Sequence, residues 1–96
     1  MDTRLITKDD RLYLQIDSTE DSLSSPRKAL AGWESFNGFY WFQTEPADED
    51  GDCFGFVQMF EDEWCYFNIP EIESVRSCWK IEEHDLPHAG RRSAAR

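Results

Sequence analysis

Cys78, His84 and His88 are the side chains in this 96-residue sequence whose types and spacing best suit a zinc ion, and Cys65 or Cys53 could supply a fourth ligand. Two features argue against that chemistry. The sequence has no Cys-x2-Cys knuckle, and Pro87 interrupts any helix that would set His84 and His88 on one face. Neighbouring carboxylates, such as Glu61 with Glu63 or Glu82 with Glu83, could do acid and base work only if one were held in a cleft with a shifted pKa. Their turn-like surroundings suit solvated charges instead. The acidic stretch 45–52 places Asp48, Asp50 and Gly51 at the third, fifth and sixth places of a calcium loop, but Pro46 and Val57 fall where oxygen ligands are required. No residue pattern resembles an activated nucleophile or a phosphate loop. The expectation is a protein without a cofactor and without enzymatic activity. The alternative is a small metal-binding or small-molecule enzyme that uses the Cys/His set.

Concentration of charge is the stronger signal. Between Glu45 and Asp85 stand thirteen acidic side chains against Arg76 and Lys80, and the whole chain carries a formal charge of −10. Such a surface repels nucleic acid and membrane head groups and attracts basic protein grooves, including those built to hold DNA or RNA. Direct nucleic-acid binding by aromatic stacking would need a basic groove, which the sequence does not provide. Residues 1–44 are more balanced, so the excess is a property of the second half. The expected partner-binding residues are Glu45, Asp48, Glu49, Asp50, Asp52, Glu61, Asp62 and Glu63, with Trp64 as an aromatic anchor beside them. Trp33 and Trp79 are further interface candidates, and an exposed pair of tryptophans would imply a docking face or a homodimer. Solubility alone is the competing explanation of the acid.

These residues must be positioned by one small fold. The length suits a single domain, expected over 1–89, followed by a flexible basic tail over 90–96; without Arg91, Arg92 and Arg96 the balance is −13. Seven Phe, four Trp and three Tyr give enough apolar area for a core despite few aliphatic residues. No apolar run spans a bilayer, the first residues do not read as a signal peptide, and three cysteines do not form a secreted disulfide framework. A cytoplasmic protein with reduced thiols is expected.

Thr7 followed by Lys8, Asp9 and Asp10 reads as a helix start, while the alternation Leu12, Leu14, Ile16 equally suits a strand. Residues 17–27 are a Ser/Asp/Pro-rich loop. Lys28 to Trp33 reads as a first core strand ended by Asn37-Gly38, and Phe39 to Thr44 as a central strand of β-favouring aromatics. Asp50-Gly51 marks a turn into the strand Cys53 to Phe60, whose alternation puts Phe54, Phe56, Gln58 and Phe60 on one face. Glu61 to Glu63 form a second turn before a strand Trp64 to Phe67. Across that hairpin Cys65 is expected opposite Val57 or Gln58, with Cys53 beyond the strand end and no disulfide formed. Asn68-Ile69-Pro70 opens a helix running to about Ser77, with Ile72, Val75 and Trp79 as its apolar side, and Ile81 begins a last short strand. The sum is an α+β fold: an antiparallel sheet of three to five strands with one or two short helices on one face.

The stretch from Phe39 through Asp85 resembles the bacterial family catalogued as domain of unknown function 2958. The likeness is carried by Leu5-Ile6-Thr7-Lys8, Tyr40-Trp41-Phe42-Gln43-Thr44-Glu45, Phe54-Gly55-Phe56-Val57, Cys65-Tyr66-Phe67, Glu71-Ile72-Glu73-Ser74-Val75-Arg76 and Ile81-Glu82-Glu83-His84-Asp85. Cys65 replaces an expected Gly, the closing Arg is missing, and residues 17–27 match poorly. The resemblance implies an accessory protein of plasmids or phages and transfers no catalytic residue. Small acidic anti-CRISPR and anti-restriction proteins offer a class-level analogy for its action. On that analogy the partner is a basic surface of a Cas or restriction complex.

Overall fold

The computed structural model describes residues 2–17 and 26–91. Most of the connection expected over 17–27, residues 18–25, lies outside them. The fold is α+β and built from antiparallel sheets, as the aromatic and turn pattern implies.

Strands β1 (Asp2–Lys8) and β2 (Arg11–Asp17) form a hairpin, joined by Asp9 and Asp10 at φ of 54° and 60°. Two consecutive left-handed residues make the turn that matches strand twist, and aspartate tolerates that conformation better than most. The helix start read at Thr7 is therefore not used. Its hydroxyl instead donates to the carbonyl of Pro87 at 2.6 Å, tying the hairpin to a 3-10 turn at Leu86–His88.

The strand expected from Lys28 to Trp33 is divided between two sheets. β3 (Arg27–Lys28) pairs with β2, and Ala29 still donates to Leu12 O at 2.9 Å. One residue later Leu30 donates to Gln43 O at 2.7 Å, opening the second sheet with β4 (Ala31–Ser35). That sheet continues with β5 (Tyr40–Gln43), β6 (Asp52–Gln58), β7 (Asp62–Asn68) and β8 (Cys78–Lys80), in the order β7-β6-β5-β4-β8. The aromatic run expected to be central is its middle strand.

The large sheet is covered on both sides, which explains why β6 is buried at Cys53, Phe56, Val57 and Gln58 regardless of parity. On one side Phe42 and Phe56, paired across β5 and β6, pack with Leu12, Leu14 and Ala29 of the small sheet and with Ile81 and Leu86. On the other, Trp33 is 1 % exposed, its ring lies 6.0 Å from that of Phe67, and its indole N–H donates to Glu73 at 3.0 Å. Glu73 belongs to the short helix α1 (Ile69–Glu73), whose Ile72 is buried. Burying each such side chain contributes on the order of 1.5–3 kcal/mol.

Helix α1 stops four residues short of the expected Ser77. Ser74 caps it, Val75 and Cys78 make reverse-turn bonds to Ile72 O and Val75 O, and the chain re-enters the sheet as β8. Val75 and Trp79, expected to pack beneath the helix, are 44 % and 45 % exposed. The last strand precedes Ile81, although Ile81 still donates to Gly32 O at 2.8 Å. The chain stays part of the fold through Arg91, whose backbone N–H and C=O bond the buried Gln58 side chain at 2.7 and 2.8 Å. Residues 92–96, the rest of the expected tail, lie outside the described residues.

Candidate binding surface

All thirteen acidic side chains between Glu45 and Asp85 are exposed. The fold sorts the expected binding residues into two groups at opposite ends of β6. Six steps of about 3.3 Å separate Asp52 from Gln58, so the groups stand roughly 20 Å apart.

At the first end, Asp48 organises the loop before β6. Its Oδ1 accepts from the backbone N–H groups of Asp50 and Asp52, both at 2.9 Å, and Gly51 turns the chain at φ 88°. A Cβ at Gly51 would collide with the Pro70 ring. Asn68 joins this loop to α1: its amide donates to Asp50 O at 3.0 Å and Asp52 Oδ1 at 2.8 Å, while its Oδ1 accepts from Glu71 N at 2.8 Å. The sequence marks Asn68 as a helix cap, but its grip on a loop sixteen residues earlier has no local signal. Asp48, Glu49, Asp50 and Asp52 are thus presented on a fixed loop, joined by Glu71 of the first helical turn. Glu45 lies beside them and pairs with Arg27 at 3.3 Å.

At the second end, the reversal between β6 and β7 occupies Met59 to Glu61, two residues earlier than the expected Glu61 to Glu63. Gln58 faces Asp62, and the hairpin register therefore sets Cys65 opposite Gly55 and Cys53 opposite Phe67. Gln58 is the last residue of β6, and its buried side-chain amide donates to Arg91 O and, at 3.2 Å, to Asp62. Asp62 also pairs with Arg91 at 3.3 Å, and the Arg91 guanidinium donates to Met59 O. Asp62 and Glu63 therefore stand on the strand itself, with Glu61 in the turn.

Trp64 does not serve as an exposed anchor. Half-buried, it donates from its indole N–H to Thr3 at 2.9 Å, packs on Phe54 and Phe56, and lies under the Arg27 guanidinium at 5.7 Å. The fold needs it between the sheets. Trp33 is likewise interior, and only Trp79 of the three tryptophan candidates is exposed. The apolar groups the sequence reading missed are Phe36 and Phe60, 76 % and 89 % exposed. Phe60 was expected on a sheet face. Its position one residue before Glu61, and that of Phe36 beside Asn37-Gly38, are the signals that mark turn residues.

The Cys/His set is not brought together, and among the described residues no group of three or more His, Cys, Asp or Glu side chains is arranged to hold a metal. The three thiols are unpaired in disulfides. Burial, reinforced by Asp52 and Asp48, pushes the Cys53 thiol up to about 11, and burial with Glu63 raises Cys65. Such thiols resist forming the thiolate that nucleophilic chemistry requires. A cleft of about 450 Å³ is lined by Glu34, Tyr40, Trp79, Glu82, Asp85 and His88. Within it Tyr40 donates to Glu34 at 3.0 Å, and burial followed by that bond raises the phenol pKa, so its oxygen keeps its proton. No helix among the described residues is long and apolar enough to cross a membrane.

Comparison with known proteins finds no matching family model, no matching curated protein and no matching solved structure.

Proposed function

We propose that this chain is a non-enzymatic acidic binding protein that occupies a cationic, nucleic-acid-binding surface of another protein and so inhibits it. The observation that carries this reading is the exposure of the acidic side chains between Glu45 and Asp85 on a fold whose loops are held by internal hydrogen bonds. Among the described residues, Arg27 pairs with Glu45 and Arg91 with Asp62. Duplex DNA carries one charge per about 1.7 Å of axis, so the acids clustered at one end of β6 imitate part of a phosphate row, the two ends standing roughly 20 Å apart. A groove that holds a phosphate row offers lysine and arginine at comparable spacing. The partner class implied by the resemblance to proteins of mobile elements is a host-defence complex, of the Cas or restriction kind, and the action would take place in the cytoplasm.

The test is displacement of a labelled duplex from such a purified complex, followed by fluorescence anisotropy. Added protein is expected to release the duplex, with the effect weakening as salt rises from roughly 50 to 200 mM. A duplex that stays bound at every protein ratio and every salt concentration would refute the proposal.

A further inference from the structure

We infer that the end of the large sheet carrying the 36–39 and 59–61 turns is the docking surface, with Phe60 as its anchor. Its occupant is a cationic protein segment whose apolar face is edged by lysine or arginine. The inference rests on the proposed function and specifies which acidic end meets the partner.

Tyr40 pairs with Gln58, so the turn before β5 and the turn after β6 leave the sheet side by side. Phe39 meets Phe60 edge-on at 5.2 Å between ring centroids, and Phe60 is 89 % exposed. Phe36 and Met59, 76 % and 37 % exposed, extend the apolar area on the same two turns. Aromatic rings are among the side chains that most often dominate binding.

The edge of this patch is acidic on one side. Glu61, Asp62 and Glu63 follow Phe60 directly and are exposed; Arg91, whose guanidinium donates to Met59 O, offsets Asp62, so Glu61 and Glu63 carry the negative charge of this edge. Arg76 lies beside the Phe36 side of the patch, where Phe36 N donates to Ser77 O at 3.0 Å, on the sheet edge opposite β7 and four strand spacings or roughly 19 Å from it. A partner that covers Phe60 must therefore present positive charge beside its apolar surface. A second copy is disfavoured, since two chains of charge −10 repel each other. The other acidic end, 45–52, has no exposed large apolar side chain among its described residues.

The experiment is an NMR titration of the isotopically labelled full chain with two synthetic peptides of equal positive charge, a Leu/Lys amphipathic helix and an oligolysine. The amphipathic peptide is expected to shift the amides of 36–39 and 59–63 and to bind at least about tenfold tighter than oligolysine. Phe60→Ser should weaken it by about tenfold or more while the rest of the spectrum stays native, and Tyr66→Ser, at another exposed aromatic, should leave affinity within about twofold. Shifts confined to 45–52, or equal binding of both peptides that is indifferent to Phe60→Ser, would overturn this inference and leave the proposed function standing. So would Phe60-dependent self-association by sedimentation. Failure of both peptides to bind would overturn the proposed function itself.

Discussion

Gln58 shows how one polar side chain can close a fold. Fully buried at the end of β6, it exchanges two hydrogen bonds with the Arg91 backbone and a third with Asp62. Gln58→Leu would strand the Arg91 groups and is expected to lower unfolding stability by about 2 kcal/mol in urea titrations. The same variant should speed proteolytic loss of the chain end. Cys53 provides a pH signature. Its pKa moves from 9.0 to about 11 on folding, so its contribution is complete below pH 9 and is lost as pH rises toward 11. Thermal melts across that window should show declining stability, and Cys53→Ala should flatten part of the decline; an unchanged slope would remove the assignment.

At the scale of elements, Asn68 is the joint between the acidic loop and α1. Asn68→Ala removes the helix cap and both bonds to the loop, with an expected loss of about 1–2 kcal/mol and faster amide exchange at Asp50 and Asp52. How much could be read beforehand follows from where the determining contacts lie. The Phe39–Thr44 strand, the hairpin after Gly51 and the helix start at Pro70 carry their instructions locally, in β-favouring aromatics and turn residues. The fate of Thr7 was not local: it depends on Pro87, eighty residues away. Nor was the division of Lys28–Trp33, because an extended segment can pair with one sheet and then another without changing its own pattern. The hairpin register slipped by two positions because Asp62 and Glu63 read as turn residues, while β6 ends earlier, at the buried Gln58. Of the candidate site, the acids were legible as exposed groups. Trp64 was not, since its partners Thr3 and Arg27 come from other strands.

For the whole molecule, the central consequence is electrostatic. On the proposed function, a small domain with charge −10 and exposed acids between Glu45 and Asp85 associates with a cationic partner through contacts that salt screens. The most direct measurement is the affinity of the full chain for a purified cationic nucleic-acid-binding complex, determined by calorimetry without nucleic acid over a series of salt concentrations. The account predicts affinity that falls steeply as salt rises, with both the affinity and the steepness reduced by the double change Glu61→Gln and Glu63→Gln. Affinity that is independent of salt would contradict it, and affinity untouched by that double change would contradict the choice of docking end.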